Sequence, residues 1–177
     1  MGVPLFVVLA VCVTLLDQLT KAWALAAMPR YEPVTIVPGF FQLTFSTNTG
    51  AAFGMLSNAT PILALIALAA AIAITVVGVR GARTMPHLQS GALALVLGGC
   101  MGNFIDRAFR HYVVDFFDVF VSTHHWPIFN VADSSICVGV GILMVLMSRD
   151  SNRSSKPLAN DGGTITVDAE QSAPISK

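Results

Sequence analysis

Four long apolar stretches decide what this chain can fold into. They run from about Pro4 to Met28, from about Pro61 to Val79, from about Gly91 to Ile105 and from about Val131 to Met147. A bilayer core takes a helix of roughly 20 apolar residues, within a range of about 17 to 25. The first two stretches meet that length. The third and fourth are shorter and glycine-rich, so their ends are expected at the interface. None has a polar face to turn to water, which leaves helices in lipid as the reading. Composition agrees: 54% of the 177 residues are hydrophobic and 11% are charged, against roughly a quarter charged in a soluble domain. The expected fold is an all-α polytopic membrane protein with four transmembrane helices, built as one domain over residues 1–148.

The basic residues set an expected orientation. Arg80 and Arg83 stand without an acid between spans two and three, and Arg149, Arg153 and Lys156 outnumber Asp150 after span four. Arg107 and Arg110, by contrast, share their connection with Asp106, Asp115 and Asp118, and Arg30 is balanced by Glu32. The positive-inside rule then places both termini in the cytoplasm and the loops around 29–60 and 106–130 outside. The first span ends in small residues, Ala24 to Ala27, like a cleavage site. It lacks a basic n-region, is too long for an h-region and holds Asp17 and Lys21, so it is expected to stay as an anchor. Residues 149–177 are rich in Ser, Asn, Asp and Gly and are expected to form a disordered cytoplasmic tail. The formal net charge of zero argues against a nucleic-acid partner.

The outer loops carry strand patterns. Phe41, Leu43 and Phe45 alternate with Gln42, Thr44 and Ser46. Tyr31 to Val37 is β-rich between Pro29 and Pro38-Gly39, which read as turns. A small extracytoplasmic β-layer is expected, which Val113 to Val121 either joins or leaves to dip into the interface.

Polar residues inside such a chain need a reason. Carboxylates beside hydrocarbon are costly, and where they persist a functional site is the default hypothesis. Asp115 and Asp133 flank one outer loop, as paired acid/base chemistry at the membrane surface requires. Each has a plainer reading as well. Asn130-Val131-Ala132-Asp133 has the spacing of a helix N-terminal capping box, and Asp115 fits a loop turn. Asp118 competes with Asp115, but its surroundings read as an exposed loop. Asp17 and Lys21, four apart, share a helix face and read as an internal ion pair, or as Lys21 orienting the outer site. Asp106 and Arg110 read as a further i,i+4 pair. Asn48 opens a Gly- and Ala-rich turn through Gly54 and either shapes it or donates to a peptide. Gly98, Gly99 and Gly102 allow close approach of a neighbouring helix or of a substrate helix. His111, His124 and His125 lack any spacing that supports a metal site. Cys12, Cys100 and Cys137, odd in number and outside any CxxC pair, read as free cysteines buried as small hydrophobes.

The chain resembles the lipoprotein signal peptidases, the type II signal peptidases of bacteria. The resemblance lies in Asp17-Gln18-Leu19-Thr20-Lys21, Asn48-Thr49-Gly50-Ala51-Ala52-Phe53, Gly102-Asn103-Phe104-Ile105-Asp106-Arg107, Val113-Val114-Asp115-Phe116 and Phe129-Asn130-Val131-Ala132-Asp133-Ser134. These five motifs fall in the family's order over roughly the first 148 residues. It implies an aspartic endopeptidase of the cytoplasmic membrane, without metal or other cofactor, that acts as a monomer among membrane lipids. The implied substrate is a diacylglyceryl-modified prolipoprotein, cut before its lipidated cysteine. Asp115 and Asp133 would be the catalytic dyad; Asn48, Asn103, Arg107 and Asn130 would hold the substrate backbone and the dyad; Asp17, Lys21 and Asp106 would support the site. The apolar neighbours of Asp115 favour its neutral form and a helix N-terminus favours a charged Asp133, which makes Asp133 the expected first base. A small ion- or proton-coupled carrier and a non-enzymatic membrane scaffold are the rival classes; a carrier needs charges along a midplane path, whereas these acids cluster outward.

Overall fold

The structure is a computed structural model that describes residues 2–30, 32–50, 59–81 and 83–154. The elements in chain order are α1 (Val3–Ala27), β1 (Val34–Val37), β2 (Phe41–Asn48), α2 (Thr60–Gly81), α3 (His87–Ile105), a π-helical turn (Asp106–Arg110), β3 (Val113–Val121), β4 (His124–His125) and α4 (Val131–Ser154). All four α-helices are long and apolar enough to cross a membrane. Their exposed side chains include Leu15, Leu19, Leu65, Ile72 and Met144, as a surface in contact with lipid requires. α3 begins at His87, behind Pro86, four residues before its apolar run. Arg149, assigned to the tail by sequence, continues α4 through Ser154; the rest of the expected tail lies outside the described residues.

α3 is the hub. It packs on α1, α2 and α4 and is the most buried of the four spans. Its glycines explain how. A Cβ on Gly98 would lie 2.6 Å from Val13 of α1, and one on Gly99 would lie 2.4 Å from the Ala132 carbonyl of α4. On Gly102 it would meet Asp17 Oδ2 at 2.4 Å. The space at these three glycines is therefore filled by the protein's own helices, not left for a substrate helix. Phe6, Ala10, Ala71, Ala94 and Leu97 close the α1–α2–α3 core. Cys12 and Cys137 lie on the outside of the bundle and Cys100 is half-buried, all three as free thiols. The expectation of buried cysteines thus fails for two of them, whose helix faces point away from the core.

The strands form one antiparallel sheet in the order β1-β2-β3-β4. Val113–Val121 joins it as a central strand. Val114 and Phe116 of β3 pack on Ala24 of α1 and on Met28, which caps it, and Trp23 meets the Phe116 ring edge-on at 6.5 Å. The sheet therefore rests on the end of α1 and holds the β3 residues over the ends of the helices.

Candidate active site

The π-helical turn ends α3 and delivers the chain to β3 through His111, which adopts a left-handed φ of 63°. Single π turns inside helices often mark functional sites. This one places Asp106 inward, where it is fully buried. On β3, Asp115 pairs in register with Ser46 of β2. It is a buried strand residue, 3% exposed, not the loop turn that its sequence also allows.

Asp133 lies in the first turn of α4. The Asp133 N–H donates to Asn130 Oδ1 at 3.0 Å, and the Asn130 N–H donates to Asp133 Oδ2 at 3.3 Å. That reciprocal pair is a capping box. The cap uses only part of the carboxylate: Asp133 Oδ1 accepts from Asn103 Nδ2 at 2.7 Å. Asn130 Nδ2 in turn donates to Asp115 Oδ1 at 2.6 Å and lies 3.4 Å from Asn103 Oδ1. Two buried amides thus join the two carboxylates. Asn48 adds a side-chain hydrogen bond to Asp115.

Burial pushes the Asp115 carboxyl up to about 7, and the negative charge of Asp133 acts in the same direction. Hydrogen bonds from Asn130 and Asn48 and the charge of Lys21 oppose the rise without cancelling it. The pair is therefore arranged so that Asp115 holds a proton under conditions where an ordinary aspartate has lost it.

Lys21 is fully buried behind the dyad. Its Nζ lies 2.8 Å from Asp17 Oδ2, 3.0 Å from Asp106 Oδ2 and 3.1 Å from Asn103 Oδ1. Arg110 pairs with Asp106, as the spacing of four predicts, and also donates to Gln18 Oε1 at 2.9 Å. Gln18, which sequence reasoning passed over, donates to Asp17, Asp106 and the Gly102 carbonyl. Its signal was available: it is a polar residue inside an apolar span, next to Asp17.

A cavity of about 1030 Å³ opens in front of the dyad. Both aspartates line it, with Asn48, Asn103 and Arg107, against a largely apolar wall that includes Trp126, Ile128 and Phe129. Asn130 does not line it; it holds Asp115 from behind. Arg107 Nη2 donates to the Gly50 carbonyl at 3.2 Å and Nη1 to the Asn103 carbonyl at 3.4 Å. Arg107 Nε is buried with no hydrogen-bond partner among the described residues. The Ala51–Phe53 part of the Asn48 motif lies outside the described residues.

Asp118 corrects the sequence reading. It is buried, not on an exposed loop, and its carboxylate accepts from Gln42 Nε2 at 2.7 Å and Thr44 Oγ1 at 2.9 Å, with His125 Nδ1 at 2.7 Å. Burial alone raises its pKa, but the hydrogen bonds from Gln42, His125 and Thr44 outweigh this and hold the carboxyl below its usual range. Asp118 therefore fastens β2, β3 and β4 together and stands outside the dyad network. His111 ends the π turn and His124 and His125 form β4. Among the described residues, no three or more His, Cys, Asp or Glu side chains gather as a metal site would need.

Residues 9–149 match the family model described as signal peptidase (SPase) II. The chain belongs to the signal peptidase II family. It is 43% identical to a lipoprotein signal peptidase of Geobacter metallireducens over 144 residues, which is 80% of this chain and 88% of that protein. It is 40% identical to the lipoprotein signal peptidase of Bacillus subtilis over 152 residues, 86% of this chain and 98% of that protein. A solved bacterial membrane enzyme structure superposes with a TM-score of 0.78 at 31% identity, covering 88% of this chain and 95% of that one. In this member of the family, the motif residues from α1, β2, α3, β3 and α4 meet at one cavity and the network behind it.

Proposed function

We propose that this chain is an aspartic endopeptidase that removes signal peptides from diacylglyceryl-modified prolipoproteins, cutting before the lipidated cysteine. The observation that carries the reading is the pair Asp115 and Asp133, joined through Asn130 and Asn103 at the wall of a largely apolar cavity. Family membership supports the substrate class, since the curated relatives are lipoprotein signal peptidases. The dyad stands at the outer face of a bacterial cytoplasmic membrane, with both termini inside, as the basic residues argue. The enzyme acts as a monomer formed by residues 1–148, without a cofactor.

Two carboxylates at close range share one proton, because both cannot ionise easily. Asp133, ionised, takes a proton from a water molecule, and that water's oxygen attacks the scissile carbonyl carbon. Asp115 gives its proton to the carbonyl oxygen, which forms a neutral gem-diol. The proton held by Asp133 then passes to the leaving amide nitrogen as the C–N bond breaks, and Asp115 recovers a proton from a diol hydroxyl. No covalent intermediate arises, and both proton transfers run between positioned side chains and substrate. Asn48 and Arg107 at the cavity wall offer hydrogen bonds to the substrate backbone, which in a dry site has no water to satisfy it, while Asn103, held between Lys21 and Asp133, orients the dyad. Two acyl chains give stable anchoring where one is marginal, and so present the scissile bond at this depth.

The test compares one prolipoprotein with and without prior diacylglyceryl transfer, at equal incorporation into proteoliposomes holding the purified enzyme. Cleavage before the cysteine, confined to the lipidated form, is expected. Equal rates on both forms would make the chain a general intramembrane peptidase. No cleavage of either, by enzyme shown to be folded, would favour the scaffold or carrier classes.

A further inference from the structure

The network behind the dyad has a symmetry that ion pairing alone does not require. Asp17 uses its two oxygens differently. Oδ2 takes Lys21, while Oδ1 accepts the backbone N–H of Ala132 at 2.9 Å. Asp106 Oδ2 takes Lys21 and also accepts the backbone N–H of Val114 at 3.1 Å. Ala132 directly precedes Asp133, and Val114 directly precedes Asp115. Each buried carboxylate therefore grips the backbone of the residue that precedes one member of the dyad. One ammonium holds both grips.

Lys21 has three N–H donors. Two go to these carboxylates, and the third goes to Asn103 Oδ1 at 3.1 Å. That contact fixes which way the Asn103 amide faces. With its oxygen on Lys21, its nitrogen must point to Asp133, where the 2.7 Å hydrogen bond is found. Asp17 and Lys21 sit on α1, Asn103 at the end of α3 with Asp106 in the π-helical turn that closes it, and the gripped backbone groups on α4 and β3. Four elements that share no local sequence are thus referred to a single buried atom, Lys21 Nζ. Asp17, Lys21 and Asp106 are all fully buried, so water does not screen or replace these bonds.

We propose that Asp17, Lys21 and Asp106 are positioning residues that form one yoke, setting the separation of Asp115 and Asp133 through the Ala132 and Val114 peptides. This rests on the dyad reading above. The yoke touches neither substrate nor water. Its effect is on kcat, because a misplacement of about 1 Å at the reacting groups costs on the order of 100-fold, while the cavity that binds substrate is left in place.

The geometry separates this role from plain charge balance. Asp17→Glu keeps the negative charge beside Lys21 but lengthens the reach to Ala132 by one methylene, against Gly102, whose missing Cβ already admits the Asp17 carboxylate. Asp17→Asn keeps the size but leaves one acceptor oxygen where two were used, so it must release either Ala132 or the side that holds Lys21 and Gln18. Asp106→Asn is milder for the yoke, because one oxygen serves both Lys21 and Val114 and an amide oxygen can take that place, at the expense of Arg110 and Gln18 on the other side. The experiment measures kcat, KM and the pH profile on a lipidated prolipoprotein for these three variants, with Asp115→Asn alongside. Folding is checked by near-ultraviolet circular dichroism in detergent.

Asp17→Glu and Asp17→Asn are expected to fold, to lose kcat about 100-fold, and to keep KM within about threefold of the unsubstituted enzyme. Asp106→Asn is expected to lose less than either. The alkaline limb of the pH profile also moves to lower pH in the Asp17 variants. The charged groups facing Asp115 are Asp133, Lys21 and Arg107, and a more distant Asp133 lowers the proton affinity of Asp115. If Asp17→Asn does not fold, Asp17→Glu, which keeps the ion pair, decides alone. Full kcat and an unmoved limb in folded Asp17→Glu would reduce Asp17 to charge balance and overturn the yoke. Should Asp115→Asn itself still cleave, the dyad reading falls and the yoke with it; a dead Asp115→Asn beside a fully active Asp17→Glu removes the yoke alone.

Discussion

Asp115→Asn is expected to do two opposite things: to end cleavage and to make the protein more stable above neutral pH. In the folded enzyme the Asp115 carboxyl is raised from 3.8 to about 7 by burial and by Asp133. Between those values the folded chain keeps a proton that the unfolded chain has released. Stability therefore falls as the pH rises through that window. At ~1.4 kcal/mol per pKa unit, a carboxyl moved from 3.8 to about 7 costs the fold about 4 kcal/mol once the pH is above 7. An amide cannot ionise, and its oxygen can still accept from Asn130, so Asp115→Asn does not carry this cost. For a chain of this length that difference is on the order of 10 °C in unfolding midpoint. The assay is thermal unfolding in detergent at several values from pH 4 to pH 8, with cleavage measured on the same samples. The two proteins are expected to unfold together at pH 4 and to diverge steadily upward, the inactive variant being the more stable. The active enzyme should also lose kcat/KM roughly tenfold per pH unit above about 7, as Asp115 loses its proton. Parallel unfolding curves across the whole range would show that Asp115 is already ionised in the resting enzyme, and its role as proton donor would be refuted.

Asp133→Asn removes the proposed base while an Asn side chain can still cap α4, so cleavage should drop by about 10²- to 10⁴-fold with the helical circular dichroism unchanged. Asp118→Asn, outside the dyad network, should keep most activity; a variant that is dead while folded as the unsubstituted enzyme would move the catalytic acid from Asp115 to Asp118. Gly99→Ala places a Cβ 2.4 Å from the Ala132 carbonyl and should destabilise the fold by about 1–3 kcal/mol, read as a lower unfolding midpoint. Cleavage should be the same in EDTA, because the proposed proton transfers run between Asp115, Asp133 and water; loss in EDTA that zinc restores would replace the aspartic mechanism.

The helices were legible because apolar density in a span has few alternative readings. The start of α3 was not, since His87, Leu88, Gln89 and Ser90 dilute the run that a hydropathy reading follows. The strands were legible from alternation at Phe41, Leu43 and Phe45, and the proximity of Asp115 and Asp133 from their cost near hydrocarbon and from the family's motifs. Asp118 was misjudged because the two side chains that bury its charge, Gln42 and Thr44, lie 76 and 74 residues away in sequence. Lys21 shows the same limit. Its partner Asp17 is one helical turn away and could be read, whereas Asn103 is 82 residues distant. The glycines of α3 announced close packing, but only the fold says that Val13, Ala132 and Asp17 take the space.

The capping box at the start of α4 has a consequence for how the enzyme comes into being. Asp133 closes the helix that carries it, and Asn130, the other half of that closure, also restrains Asp115. During synthesis β3 emerges before α4, so Asp115 exists for a time as a solitary acid. The last span must wind into its first turn before Asp133 and Asn130 acquire their orientations. On the proposed mechanism, proteolytic competence therefore arrives with completion of the final helix, and a half-made chain has no working blade to turn on its neighbours.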